Sequence, residues 1–220
     1  MKKFTITLND PEIIYLMNKD KRLGKLITDI GNIDCNIHED EYSFMVEQIV
    51  GQMLSNKAAA SIIGRLWNLC DGKLTPNSVA SLSIEELRSI GISSAKSQYI
   101  INFTELVNDE QIDFDELSDL PDHEVIKRLT GIRGIGNWTA KMFLLFVLRR
   151  PDVLPFEDIA FLQSYKWLYK TEDIKKESVI KKCEKWKPYS SIAARYLYRA
   201  LDCGMTKEPF HLNKSKITDI

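Results

Sequence analysis

The sequence predicts an all-α protein, and three patterns support that fold class. Apolar residues recur at helical spacing along most of the chain, glycines and prolines separate these segments, and alternation typical of a strand is confined to 4–8. With 220 residues, of which 44% are hydrophobic, the chain can fill one large core or two small ones. No internal repeat or low-complexity linker is present in the sequence, so two domains would have to pack closely.

The helices follow one another in short, well-punctuated segments. Ser55, Ser83 and Ser93 stand where N-caps belong, because a hydroxyl there can accept from the free amides of the next turn. Glu86 lies three residues after Ser83 and completes a capping box. Residues 213–220 are polar and predicted to fray. The helices are predicted over about 11–19, 22–30, 41–53, 56–70, 76–80, 84–90, 94–107, 112–118, 122–129, 137–149, 158–169, 176–185 and 190–203.

Cysteine and histidine usage argues against a metal centre. The cysteines at 35, 70, 183 and 203 and the histidines at 38, 123 and 211 show no paired ligand spacing. We therefore expect neither zinc nor an iron–sulfur cluster. The first residues are too short and too polar a run for a signal peptide, and no segment reaches transmembrane length. A cytosolic protein with reduced thiols is expected, and no membrane partner.

The charge distribution allows a local basic face on a nearly neutral protein. A net charge of −1 argues against coating nucleic acid by bulk electrostatics. A run of basic residues is nevertheless present, and it has two interpretations: a solvated helix face, or a set of contacts to phosphates. Its members are Lys166, Lys170, Lys175, Lys176, Lys181, Lys182, Lys185, Lys187, Arg195 and Arg199.

A glycine-rich turn joins two predicted helices between Leu129 and Ala140. Gly134 and Gly136 allow backbone geometry that a Cβ would resist, and the second helix begins with free amides at the positive end of its dipole. This arrangement is a ready site for an anion such as a DNA phosphate. A glycine connection without any ligand is the plainer alternative.

An aspartate follows this turn after a proline-containing loop, 151–157. Asp158 precedes an apolar helical segment, where an aspartate is usually an N-cap. Its position downstream of the phosphate-binding turn favours a role beyond capping.

These segments resemble the helix-hairpin-helix DNA glycosylases, and within them the branch that removes alkylated purines such as 3-methyladenine. The resemblance runs from about Phe44 to Arg199 and includes the segments 49–55 and 186–191. It implies a two-lobed helical fold with a DNA-binding cleft. One lobe, a six-helix barrel containing the hairpin, would span 38–143, and 1–37 with 144–212 would form the second helical lobe.

The resemblance assigns roles to individual positions. Asp158 would be the catalytic carboxylate, and Met53 would be a wedge that enters the base stack, although a core methionine is the commoner interpretation. Trp138, Met142 and Tyr198 would line the base pocket, unless the aromatic rings only pack in the core. The remaining DNA contacts would come from Gln52, Met53, Ser55, Arg133, Gly134, Ile135, Gly136 and Thr139. The carbonyls of Thr130, Ile132 and Ile135 would hold a structural Na⁺ or K⁺.

The implied activity is monofunctional base excision repair of damaged double-stranded DNA. Bifunctional relatives carry a lysine where this chain has Trp138, and an indole cannot form an imine. The enzyme would flip out an alkylated purine, hydrolyse its N-glycosidic bond and leave an abasic site, as a monomer and without a cofactor for the chemistry. Two alternatives remain: a glycosylase for oxidised or deaminated bases, and a DNA-binding protein without catalysis.

Overall fold

The computed structural model describes residues 2–212, so the tail predicted over 213–220 lies outside the described residues. The chain is mainly helical, as predicted, and it divides into two compact units. One unit takes the described residues up to Ile37 and from Arg149 onward, and the other is His38–Leu148. The second boundary therefore lies at 148 rather than at 143.

The discontinuous unit contains a small sheet and five α-helices. Its elements are β1 (Lys3–Ile6), α1 (Pro11–Lys19), α2 (Lys21–Ile30), β2 (Ile33–Asn36), α11 (Ile159–Tyr169), α12 (Lys176–Cys183) and α13 (Ser190–Asp202), with short 3₁₀ turns at Glu184–Trp186 and Met205–Lys207. Strands β1 and β2 pair antiparallel, with Lys3 opposite Asn36 and Ile6 opposite Ile33.

Strand β2 corrects the prediction that no strand follows residue 8. Ile33 and Cys35 are buried while Asp34 and Asn36 are exposed, which is the alternation of a half-buried strand. Four residues are too few for this pattern to stand out beside the helical segments that surround it. The strand forms because β1 supplies its hydrogen-bond partners, and a long-range partner is invisible in local periodicity.

The continuous unit, His38–Leu148, holds the glycine turn. Its described residues form eight α-helices, the number predicted from the helical patterns over 41–149, whereas the resemblance implied a lobe of six. They are α3 (Glu41–Gly51), α4 (Asn56–Leu69), α5 (Pro76–Ala80), α6 (Ile84–Ser89), α7 (Ser94–Asn108), α8 (Phe114–Asp119), α9 (Asp122–Thr130) and α10 (Asn137–Met142). The predicted caps are confirmed, since Ser55, Ser83 and Ser93 each accept from a first-turn amide and Glu86 closes its capping box.

The helix predicted over 137–149 changes type halfway. The α-helix ends at Met142, and Phe143–Val147 is a π-helix in which the amide of Leu148 donates to the carbonyl of Phe143, five residues back. This continuation keeps 144–148 with the hairpin and explains why the boundary between the units falls later than predicted.

A buried carboxylate organises the discontinuous unit. Asp20 is 2% exposed and serves as the N-cap of α2. Its side chain also accepts hydrogen bonds from the Tyr169 hydroxyl, from Trp186 Nε1 at 3.0 Å and from Lys185 Nζ at 3.0 Å. Burial opposes the charge of Asp20 most strongly, but these donors together outweigh burial and lower its pKa.

We expect Asp20→Ala to destabilise the fold by about 3–5 kcal/mol at neutral pH, because it leaves Lys185, Tyr169 and Trp186 without their acceptor. The folded-state pKa lies below the unfolded value of about 3.9, so the contribution is complete above that unfolded pKa and is lost as pH falls from there through the folded-state pKa. Urea unfolding at pH 7 and below pH 4 measures both effects. Asp202→Ala, which removes an exposed carboxylate of the same unit, is the control, and a loss no larger than its own would contradict the prediction.

Candidate functional site

The glycine turn is a tight hairpin packed on an aromatic ring. The amide of Ile135 donates to the carbonyl of Ile132 at 3.1 Å and closes the turn. Gly134 has φ +93°, and a Cβ on it would lie 2.3 Å from the Tyr99 ring. The exposed Arg133 places its guanidinium 6.0 Å from the centroid of the same ring. The requirement for glycine at 134 is therefore confirmed. Tyr99, which lies on α7, packs against the hairpin, and the sequence did not indicate this contact.

Some backbone amides of this hairpin donate hydrogen bonds within the turn, and others do not. Among the hydrogen bonds of residues 2–212, none is donated by the amides of Gly134 or Gly136. The amide of Ile135, predicted to face DNA, closes the turn instead. Gly136 has an ordinary φ of −100°, and a Cβ on it would meet no atom within 4 Å, so the expectation that its geometry needs glycine is wrong. The amides of Gly134 and Gly136 therefore remain for an anion.

The segment after α3 exposes an apolar side chain. Met53 adopts φ +58° and is 98% exposed, which rules out the core interpretation. The preceding Gln52 points toward the hairpin, where its Nε2 donates to the carbonyl of Gly134 at 2.9 Å and approaches Thr139 Oγ1 at 3.4 Å. Ser55, also exposed, caps α4. Thr139 is buried, so it supports Gln52 and does not offer its hydroxyl at the surface.

The pocket candidates of this unit differ in exposure. Trp138, in the first turn of α10, is half-buried, whereas Met142 is fully enclosed at the end of the same helix. Met142 directly precedes the π-helix, a feature that often accompanies functional sites. Of these two pocket candidates, only Trp138 is partly open to solvent.

The carboxylate of Asp158 is held at the start of α11. Asp158 is 9% exposed, and its Oδ1 accepts from the amide of Phe161 at 2.7 Å, as an N-cap does. The helix dipole favours a negative charge at this end. The N-cap prediction is thus confirmed, and the structure adds a neighbour on the facing helix, α13.

That neighbour is Tyr198. Burial most strongly, and then the negative charge of Asp158, raise the pKa of Tyr198 well above its usual value. The phenol is therefore neutral, and it lies close to the carboxylate of Asp158. Arg195, counted above in the basic run, is half-buried beside Cys35 and Tyr198, and burial lowers the pKa of its guanidinium. It belongs to this interior cluster and not to a surface face.

The loop that leads to Asp158 is fastened to the start of α13. Ser191 Oγ accepts from the amide of Val153 at 2.9 Å and donates to the carbonyl of Arg150 at 2.6 Å. Asp152 accepts from the amide and hydroxyl of Ser190 at 3.3 and 2.5 Å. The loop and helix α13 therefore form a rigid support for Asp158 and Tyr198 together.

The lysine run is only partly available to an outside ligand. Lys166 pairs with Glu172, Lys187 with Glu184, and Lys185 with the buried Asp20. Other members, Lys170, Lys175 and Lys181, are exposed. The run is thus a mixture of internal pairs and solvated charges, and contacts from its exposed members to phosphates stay a prediction.

The hairpin carbonyls suit a monovalent cation. In residues 2–212 no hydrogen bond ends on the carbonyls of Thr130 or Ile135, and the carbonyl of Ile132 accepts one, from Ile135. Backbone carbonyl oxygens are the ligands that proteins use for K⁺. Elsewhere in the described chain no group of three or more His, Cys, Asp or Glu side chains could hold a metal ion, and no described helix is long and apolar enough to cross a membrane.

Comparison with known proteins matches this arrangement to one family. Residues 46–188 match the family described as "HhH-GPD superfamily base excision DNA repair protein". The chain belongs to the HhH-GPD superfamily. The matched range includes the Met53 segment, the hairpin and Asp158, while Tyr198 lies beyond it.

Several HhH-GPD relatives resemble the chain over most of its length. DNA-3-methyladenine glycosylase 1 of Schizosaccharomyces pombe is 31% identical over 84% of this chain and 85% of its own. A crystal structure of DNA-3-methyladenine glycosidase from Bacillus halodurans has a TM-score of 0.82 at 35% identity, covering 96% of this chain and 97% of the other. Fission yeast Mag1 in complex with abasic DNA has a TM-score of 0.81 at 28% identity, covering 88% and 97%.

Proposed function

We propose that this protein is a monofunctional DNA glycosylase that releases alkylated purines from double-stranded DNA and leaves an abasic site. The observation that carries the proposal is the Asp158 carboxylate, held by the helix amide of Phe161 and lying near Tyr198 in a chain of the HhH-GPD superfamily. The substrate class is supported by relatives named 3-methyladenine glycosylases. DNA binding is supported by the relative solved with abasic DNA.

Release of an alkylated purine needs little help from a general acid. Alkylation at N3 or N7 places a positive charge on the purine, so the base leaves as a neutral molecule without prior protonation. What remains is to stabilise the positive charge that develops on the sugar and to guide a water to C1′. A fixed carboxylate performs both tasks, and the amide of Phe161 orients Asp158 for them.

The hairpin and the Met53 turn would hold the DNA. The amides of Gly134 and Gly136, which donate no bond within the hairpin, would donate to one phosphate. The carbonyls of Thr130, Ile132 and Ile135 would hold Na⁺ or K⁺ beside it. The exposed Met53 can fill the gap that a flipped nucleotide leaves, which offsets part of the unstacking free energy. Trp138 offers an electron-rich ring face, and such faces attract cationic rings more than neutral ones.

Base release from methylated duplex DNA tests the proposal. We expect free 3-methyladenine and 7-methylguanine by chromatography, strands that stay intact until alkali is added, and no covalent adduct after borohydride, because Trp138 has no amine. Release from oxidised or deaminated DNA alone would indicate another specificity. Binding without any release would favour a non-catalytic protein, and a trapped adduct would contradict the monofunctional assignment.

A further inference from the structure

Lys96 makes two hydrogen bonds that fix the segment carrying Met53. Its Nζ donates to the carbonyl of Val50 at 2.8 Å and to the carbonyl of Gln52 at 2.6 Å. Both carbonyls belong to the end of α3, where a helix leaves its last carbonyls without intrahelical partners. A lysine side chain is well suited to satisfy such groups.

The position of Lys96 in its own helix is unfavourable. It lies in the first turn of α7, where the helix dipole disfavours a cation. Burial also lowers the pKa of its ammonium group. The two hydrogen bonds of its ammonium group go to the carbonyls of the α3 terminus, so the favourable contacts of this lysine lie in the Met53 segment and not in α7.

The same segment is also tied to the hairpin. While the Gln52 carbonyl accepts from Lys96, the Gln52 side chain donates to the carbonyl of Gly134. Between these attachments the chain turns, with the amide of Leu54 donating to the carbonyl of Gly51 at 3.1 Å. Met53, at φ +58°, is the one residue of this turn that projects almost fully into solvent.

We infer that Lys96 is a positioning residue that holds Met53 in the orientation needed for insertion into DNA, and that Gln52 couples this turn to the phosphate-binding hairpin. The inference rests on the proposed function. An unbranched methionine is flexible, so the orientation of its backbone decides where the side chain can reach. Lys96 touches no substrate in this scheme and acts through Met53.

Lys96→Met in the full-length chain tests the inference on two substrates. The first carries 7-methylguanine paired with cytosine, and the second carries the same lesion opposite an abasic-site analogue, where flipping requires less unpairing. We expect single-turnover excision to fall by about tenfold on the paired substrate, a barrier change of about 1.4 kcal/mol, and by less than about threefold on the other. Met53→Ala should show the same preference, and the double variant should be no slower than Met53→Ala alone.

Controls separate positioning from folding. Lys73→Met removes an exposed lysine of the same unit and should leave both rates unchanged. Thermal unfolding is measured for each variant, and Lys96→Gln, which retains one amide donor, should show a smaller loss with the same substrate preference. Equal losses on both substrates, unchanged rates, or unfolding of both Lys96 variants would each overturn the inference.

A second readout does not depend on catalysis. A 2-aminopurine placed beside an abasic-site analogue reports unstacking by its fluorescence when protein binds. Wild type should raise the signal, and Lys96→Met and Met53→Ala should raise it less at saturation. If wild type excises neither substrate, the proposed function fails, and this fluorescence comparison still decides the role of Lys96.

Discussion

Asp158→Asn is expected to reduce the rate of base release by about 10²- to 10³-fold, because it removes the one negative charge that stabilises the developing cation on the sugar. Asparagine caps helices as well as aspartate does, so it can still accept from the amide of Phe161. The free energy of unfolding should therefore change by less than about 1 kcal/mol. Single-turnover release from methylated duplex, with chemical denaturation of both proteins, measures the two quantities.

The neighbouring Glu157 provides a matched control for Asp158. Glu157→Gln neutralises a carboxylate in the same loop and should keep the rate within a few-fold of wild type. Asp158→Asn should also bind abasic-site DNA with undiminished affinity, since binding is assigned to the hairpin. If Asp158→Asn retains more than about a tenth of the wild-type rate, Asp158 is not the catalytic carboxylate.

Gly134→Ala is expected to disable the hairpin. A methyl group at this position would lie 2.3 Å from the Tyr99 ring, on a residue with φ +93°. Backbone strain and overpacking together should destabilise the fold by about 2–4 kcal/mol. If the hairpin shifts, the amides that would bind a phosphate shift with it. The loss of one hydrogen bond to a charged group costs about 1.5–3 kcal/mol, so the affinity for DNA should fall by about tenfold or more.

Gly136→Ala is the corresponding control, because it adds the same methyl group two residues away. Its backbone is at φ −100° and nothing lies within 4 Å of the added carbon. We expect its free energy of unfolding to stay within about 0.5 kcal/mol of wild type. Urea denaturation of the two variants and fluorescence-anisotropy titration with duplex DNA give the comparison. Equal stability of both variants would show that Tyr99 does not enforce glycine at 134.

Much of the helical framework could be predicted because its signals are local. The hydroxyls of Ser55 and Ser83 accept from amides three residues away, and Asp158 caps its own helix in the same way. The glycine requirement at 134 was also readable as a turn, although its cause, the Tyr99 ring, was not. The placement of these residues along the chain was therefore available from sequence alone.

The sequence by itself determined which segments are helical, where the hairpin lies and which carboxylate follows it, because helix periods, caps and glycine turns depend on neighbours within a few residues. Only the tertiary structure decided that Tyr198 lies near Asp158, that Arg195 is half-buried beside Tyr198, and that Lys96 holds the turn of Met53. These contacts join residues that are far apart in the sequence. Burial and hydrogen bonding to such partners set the charge and orientation of a side chain, and neither is encoded in its local pattern.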